Sequence, residues 1–258
     1  MDELDYGKLI HTVPIKKGAT VDVVSDLFNI QKRCWEIGRK FDANRLIDAI
    51  CESVGEEGTV LIRMFSWDFC HGKGYDARRT LSQVGALGNI ALKREDFRRT
   101  KHPMYSWMVW GKYKDYLCDL DYIDSFGKES VFAWEASNAD AQQIVIGSPS
   151  TNGVTIFHYI EQLVGVSYRY IKEFTDRYAD ECGNEAIRTY SMYVRDLDYD
   201  IDTDLDVYNM ELENKRIKIN GNYQEIEVIL YELMQLCEIY EDDIRDHGIS
   251  SGVTLTRI

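Results

Sequence analysis

The sequence predicts a mixed α/β fold, with a central mixed sheet flanked by helices on both faces. Three observations carry this expectation. Short runs rich in β-branched residues alternate with longer amphipathic runs. The order strand, helix, strand appears in the first 65 residues and returns around residue 150. The chain has 258 residues, 45 % hydrophobic and 29 % charged, enough to bury a sizeable core as one domain spanning 1–258.

Residues 10–26 read as two strand-like patches around a turn at Lys16, Lys17 and Gly18, the second patch holding Val21, Val23 and Val24. Ser25 and Asp26 close that patch before a helix-like run over residues 27–35. A small polar residue there can present backbone N–H groups to a phosphate, or simply cap the helix. Residues 42–54 form the clearest amphipathic helix, with Leu46, Ile47, Ile50 and Val54 on one face and Asp42 as N-cap. A strand over residues 59–65 follows, then a loop with Ser66, Trp67, Asp68 and His71.

Arg98, Arg99 and Lys101 form a basic concentration in an acidic protein. It reads either as a solvated patch or as a phosphate contact. Residues 105–111 are aromatic and strand-like, and residues 124–134 read as a loop opening into a short helix.

The chain is organised around residues 144–169. A short apolar strand (Ile144, Val145, Ile146) breaks at Gly147, Ser148 and Pro149, and runs through a polar turn with Asn152 and Gly153. It re-enters a helical pattern over residues 155–163. Thr155, His158 and Glu161 recur every three residues, so they share one side of that helix, drifting about 60° per step. A histidine beside a carboxylate on a rigid element suits a general base with its orienting partner. A satisfied, half-buried helix histidine is the competing reading.

Beyond residue 168 a strand with aromatic and basic residues is expected. Asp196, Asp198, Asp200, Asp202, Asp204 and Asp206 alternate strictly, which places all six on one face of an extended segment. That face is either solvated or an acidic rim for an ammonium-bearing substrate. The spacing lacks the glycine and terminal glutamate of an EF-hand. A turn is expected at Asn220 and Gly221. A last long helix is expected over residues 224–243, with Ile226, Ile229, Leu230, Leu233, Leu236 and Cys237 inward.

Composition excludes several classes. The net charge of −14 opposes nucleic-acid binding, which needs a basic footprint. It suits a cationic partner or an ordinary acidic protein. No segment has 18 consecutive apolar residues, so no membrane span is expected. The acidic first residues lack a secretion signal, and the six scattered cysteines read as free thiols, which points to the cytoplasm. Their spacing supports no metal site.

Four stretches, in order, resemble the aminoglycoside 3-N-acetyltransferase family, whose antibiotic N-acetyltransferase fold is not the GNAT fold. GEEGTVLIRMFSWD (55–68) is similar to the family's G-x-x-G-T strand and F-S loop. RRTKHPMYSWMVWG (98–111) is similar to its R-S-x-H-P-x-x-S segment, and DSFGKES (124–130) to its P-[FY]-G-x-x-S turn. IVIGSPSTNGVTIFHYIEQLVGVSYR (144–169) is similar to its L-L-G…T-x-x-H-x-x-E…YR segment. Residues 175–258 match poorly and are expected to be a divergent part shaping the acceptor side.

The resemblance implies acetyl transfer from acetyl-CoA to an amine of an amino sugar, with no metal. His158 falls on the family's central histidine and Glu161 on the acid after it, as general base and orienter. His102, Thr155 and Asp68 are expected on the substrate side, and Ser25, Ser66 and Arg99 near the donor. None of the cysteines lies in a matched motif, which favours direct transfer over an acyl-cysteine. Two departures fall near the donor site. Ser25-Asp26 stands where the family has an H-S-S-like segment, and Arg63-Met64 where it often has Pro-Thr. The acceptor is expected to be an aminoglycoside or a nucleotide-linked amino sugar. A non-catalytic binder of cationic ligands on the same fold is the alternative. A homodimer is compatible with the aromatic-rich C-terminal third.

Overall fold

The computed structural model describes residues 2–148 and 153–258. In chain order, α1 (Tyr6–Ile10), β1 (Thr20–Ser25), α2 (Leu27–Glu36), α3 (Ala43–Val54), β2 (Thr59–Arg63) and β3 (Tyr75–Asp76) come first. They are followed by α4 (Ala86–Ala91), β4 (Arg98–Arg99), β5 (Trp107–Gly111), α5 (Lys114–Asp119), α6 (Val131–Ser137), β6 (Ala141–Ile146) and α7 (Phe157–Val164). The remainder is β7 (Arg169–Ala179), β8 (Glu185–Arg195), β9 (Tyr199–Thr203), α8 (Asn209–Asn214), β10 (Lys218–Tyr223), β11 (Ile226–Glu232), α9 (Leu233–His247) and β12 (Val253–Arg257).

A seven-stranded mixed sheet of order β10-β11-β6-β1-β2-β5-β4 forms the centre, as the sequence predicts. β6, β1 and β2 run parallel, and β11 and β5 flank them antiparallel. The parallel strands are buried on both faces, which explains their near-continuous apolar runs. Val21, Val23, Val60, Ile62, Ile144 and Ile146 face one core together with α2 and α3. The alternate positions Leu61 and Val145 face a second core with α6, α7 and α9. β1 lies between β2 and β6, and the chain crosses from β1 to β2 on one side and returns later in sequence as β6 on the other. That arrangement opens a crevice beyond the carboxyl ends of the parallel strands.

α3 forms where the pattern predicts. The Asp42 carboxylate accepts from the N–H groups of Asn44 and Arg45, and Leu46, Ile47, Ile50 and Val54 are buried. Among the described residues, no helix is long and apolar enough to cross a membrane.

Four expectations give way. The helix expected over 224–243 is two elements. Residues Ile226–Glu232 form β11, and the helix starts at Leu233. β11 is buried on both faces, with Val228 and Leu230 in one core and Ile229 and Tyr231 in the other. Such a strand has no period of two to distinguish it from a buried helix. Asn220 and Gly221 lie inside β10, and the hairpin turns instead at Gln224 and Glu225, both at positive φ. Gly221 is needed for close approach, since a Cβ there would meet the Thr12 backbone and hydroxyl within 2.7 Å. Ile10 ends α1 rather than starting a strand.

The six alternating aspartates are not on one face. Asp196 accepts from Asp198 N–H in a turn, Asp200 and Asp202 sit in β9, and Asp204 caps the short turn carrying Asp206. Aspartate's habit of bonding its own backbone two residues on breaks the extended run.

Candidate active site

Glu161 is the centre of the site. α7 carries it into the second core, where it is buried, and three other groups converge on its carboxylate. Tyr168 donates to Oε1 at 2.8 Å, Tyr240 of α9 reaches the same oxygen at 3.4 Å, and Arg169 Nε pairs with Oε2 at 2.8 Å. His158, one turn earlier, places Nδ1 2.7 Å from Oε2. Burial by itself would push the Glu161 carboxyl up. The hydrogen bond and charge of His158, the charge of Arg169 and the Tyr168 hydroxyl outweigh it and hold the carboxyl below its usual value.

An ionised carboxylate only accepts, so His158 Nδ1 carries the proton and Nε2 is left as the acceptor. The His158 side chain is 35 % exposed, against 4 % for Glu161. Phe126 packs edge-on against the imidazole, ring centroids 5.6 Å apart. The arrangement is an imidazole whose tautomer is fixed by a buried carboxylate, with the rest of the ring partly open.

Beside it lies a cleft of about 520 Å³ at the carboxyl ends of β1 and β2. Ser25, Asp26 and Phe28 form one wall, Val84 and its neighbours the other, and Ser148 and Thr155 lie on the side leading to α7. The polar turn predicted at Pro149 and Asn152 lies outside the described residues. Thr155 belongs to this cleft and precedes His158 by three residues, so it joins the two parts of the site.

Arg63, which lines the cleft, belongs to a buried polar cluster. Asp22, Arg63 and Gln143 point from adjacent parallel strands to the same face. The Arg63 guanidinium is held by Asp22 and by Gln143 at 2.8 Å, and it donates onward to Gly153 O and Thr155 Oγ1. Trp107 Nε1 donates to Asp22 at 3.3 Å. Burial, then the nearby Asp22 charge, pushes the fully buried Glu135 of α6 well above the usual carboxylate value. Sequence reasoning noted Arg63 only as a departure and missed Asp22, Gln143 and Glu135. An aspartate inside the run TVDVVS was the available signal, since a buried charge requires a partner.

The expected site residues separate. Thr155 and Ser25 line the cleft, while His158 and Glu161 pair on α7, joined to the cleft through Thr155, whose carbonyl accepts from His158 N–H. Asp68 does not line the cleft. It pairs with Lys73 at 3.2 Å in a separate cavity of about 200 Å³ and accepts from Gln83, a cleft residue. Ser66 is fully buried, and its hydroxyl accepts from Asp68 N–H.

Arg99 lies inside the fold. It is buried, and all three guanidinium nitrogens donate within the fold, to Ser106 Oγ and to the carbonyls of Ala77, Thr80 and Met64. Its neighbour Arg98 pairs with Asp119 and Glu181, so the basic concentration is spent within the molecule.

His102 also lies inside the fold. It is buried against Tyr122, accepts from Tyr105 N–H, and burial pushes its imidazole down to about 3. It is a neutral core histidine and offers no surface to a substrate. All six cysteines are unpaired. Among the described residues, no group of three or more His, Cys, Asp or Glu side chains could hold a metal ion.

The family model described as Aminoglycoside 3-N-acetyltransferase matches residues 35–244. No curated protein matches the chain. Among solved structures, aminoglycoside acetyltransferase AAC(3)-Xa superposes with a TM-score of 0.75 at 18 % identity, over 95 % of this chain and 92 % of that one. AAC-VIa bound to sisomicin gives 0.75 at 15 %, over 95 % and 98 %. AAC-IIIb in a binary complex with CoASH gives 0.73 at 15 %, over 97 % and 98 %. At these identities the structural likeness establishes the fold.

Proposed function

The chain belongs to the aminoglycoside 3-N-acetyltransferase family, and from that premise we propose that it transfers acetyl from acetyl-CoA to an amine of an aminoglycoside, with His158 as general base. The observation that carries this is the His158–Glu161 pair, 2.7 Å apart, with the imidazole half open and the carboxylate buried. Structural neighbours that hold CoASH and sisomicin supply the first donor and acceptor class to test.

Acetyl-CoA, when bound, supplies the acetyl thioester. A sugar ammonium must lose a proton before it can attack. His158 Nε2 takes that proton, and the Glu161 carboxylate steadies the imidazolium that results. Thr155 Oγ1 already accepts from Arg63, so its own O–H is free to donate to an oxygen that gains charge in the cleft. Among the described residues no cysteine lines the cleft, and burial pushes the Cys70 thiol up to about 11, which supports direct transfer over an acyl-cysteine. The net charge of −14 favours a polycationic acceptor over an anionic nucleotide-linked sugar. Free thiols and dependence on acetyl-CoA fit a cytoplasmic enzyme.

The test is thiol release from acetyl-CoA over a panel of aminoglycosides and nucleotide-linked amino sugars. Acceptor-dependent release that His158→Ala lowers about 10²-fold or more is expected. Full activity in the variant would remove His158 as the base. No release with any acceptor, and no CoA binding by calorimetry, would leave a binding protein for cationic ligands.

A further inference from the structure

Acetyl-CoA has two chemically distinct ends, an uncharged pantetheine arm and a strongly anionic nucleotide. The cleft beside His158 matches only the first. Val24, Leu27, Phe65, Leu87, Phe28 and Val84 line it. Phe28 is 75 % exposed and Val84 42 %, apolar side chains that stay open to water until an arm covers them. The hydroxyl-bearing residues Ser25, Ser148 and Thr155 stand among them to meet amide and thioester groups.

The charges run the other way. Among the described lining residues, only Asp26 and Arg63 are ionisable. Arg63 is not available to a phosphate. Asp22 neutralises it, and its remaining donors are taken by Gln143, Gly153 and Thr155. Asp26 caps α2, accepting from the Asn29 N–H at 3.0 Å and the Asn29 side chain at 2.8 Å. The start of that ten-residue helix would otherwise offer its N–H groups to a phosphate. Here a carboxylate of the wrong sign occupies the position, in a protein of net charge −14.

Resting on the acetyltransferase reading above, we infer that this chain recognises its acyl donor through the pantetheine thioester arm, with the nucleotide phosphates adding nothing to recognition. An acyl-pantetheine thioester without the nucleotide is therefore a donor of comparable quality. Raising the ionic strength leaves acetyl-CoA use unchanged or improves it, because salt screens a repulsion rather than an attraction. Asp26→Asn keeps the cap, since Asn is as good an N-cap as Asp, and removes only the charge.

The experiment compares acetyl-CoA with S-acetylpantetheine on the purified protein and its best acceptor. The expected result is kcat/KM values within about tenfold of each other, where tenfold corresponds to about 1.4 kcal/mol. In Asp26→Asn, the KM for acetyl-CoA falls by a larger factor than the KM for S-acetylpantetheine. A preference for acetyl-CoA beyond tenfold, or a KM for acetyl-CoA that climbs with salt, overturns the inference while leaving the acetyltransferase intact. Failure of both donors with every acceptor removes the acetyltransferase reading itself.

Discussion

His158 and His102 show at the residue scale how surroundings decide use. His158 keeps one nitrogen free because Glu161 fixes the other, and Glu161 is held by the adjacent Tyr168 and Arg169 and by Tyr240 of α9. His102 stacks on Tyr122 with ring centroids 5.2 Å apart and lies edge-on to Tyr190. Burial pushes it from 6.5 down to about 3. In the unfolded chain it takes a proton below about 6.5, whereas the folded chain resists until about 3. Its contribution to stability is therefore fully present above pH 6.5 and is lost as pH falls toward 3. The loss approaches about 1.4 kcal/mol per pH unit between those values. His102→Gln should give a flatter acid limb when Tm is followed from neutral pH to about pH 4.5. Equal slopes for parent and variant would show that His102 does not carry the acid sensitivity. Both histidines lie in segments that resemble family motifs, so residue type and spacing found them. Spacing does not report burial, which is why His102 and Arg99 were expected at the cleft and are found inside the core.

Among the elements, the β10–β11 hairpin is where sequence and structure part most clearly. Its register pairs Tyr223 with Ile226, leaving a two-residue loop of Gln224 and Glu225. Both residues have positive φ, 52° and 62°, the conformation of a type I′ turn, which Asn-Gly adopts with least strain. Asn220-Gly221 carries that signal but is drawn into the strand because Thr12 packs where a Cβ would stand. Gln224→Asn with Glu225→Gly should stabilise the protein by about 1–2 kcal/mol, visible as a higher Tm. The change removes the Arg33–Glu225 ion pair, but Glu225 is largely exposed and such pairs contribute little. A lower Tm in the double variant would mean that the turn is held by Arg33 rather than limited by its own strain. Local patterning located α2, α3, α6, α7 and the parallel strands, because capping and amphipathicity act within a few residues. β11 escaped because both its faces are covered, by α1 from the far end of the chain and by α9, which follows it directly and folds back.

For the whole molecule, the determining quantity is charge. The basic residues that looked free, Arg98 and Arg99, are consumed internally, and the net charge of −14 is therefore presented to incoming molecules with little basic relief at the cleft. Such a field draws a polycationic acceptor toward the protein and raises its local concentration, an effect that weakens as salt shortens the screening length to about 8 Å at physiological strength. The chemical step uses short-range contacts of His158 and Thr155, which salt screens far less. Raising ionic strength should therefore lower kcat/KM for an aminoglycoside carrying several ammonium groups by about tenfold or more, through KM, with kcat unchanged. An amino sugar with one ammonium group should respond much more weakly. Steady-state kinetics for both acceptors at low and high salt, with the donor saturating, separate the two cases. A fall in kcat, or equal salt dependence for the two acceptors, would show that the acidic surface does not steer the acceptor and that selectivity lies in the pocket alone.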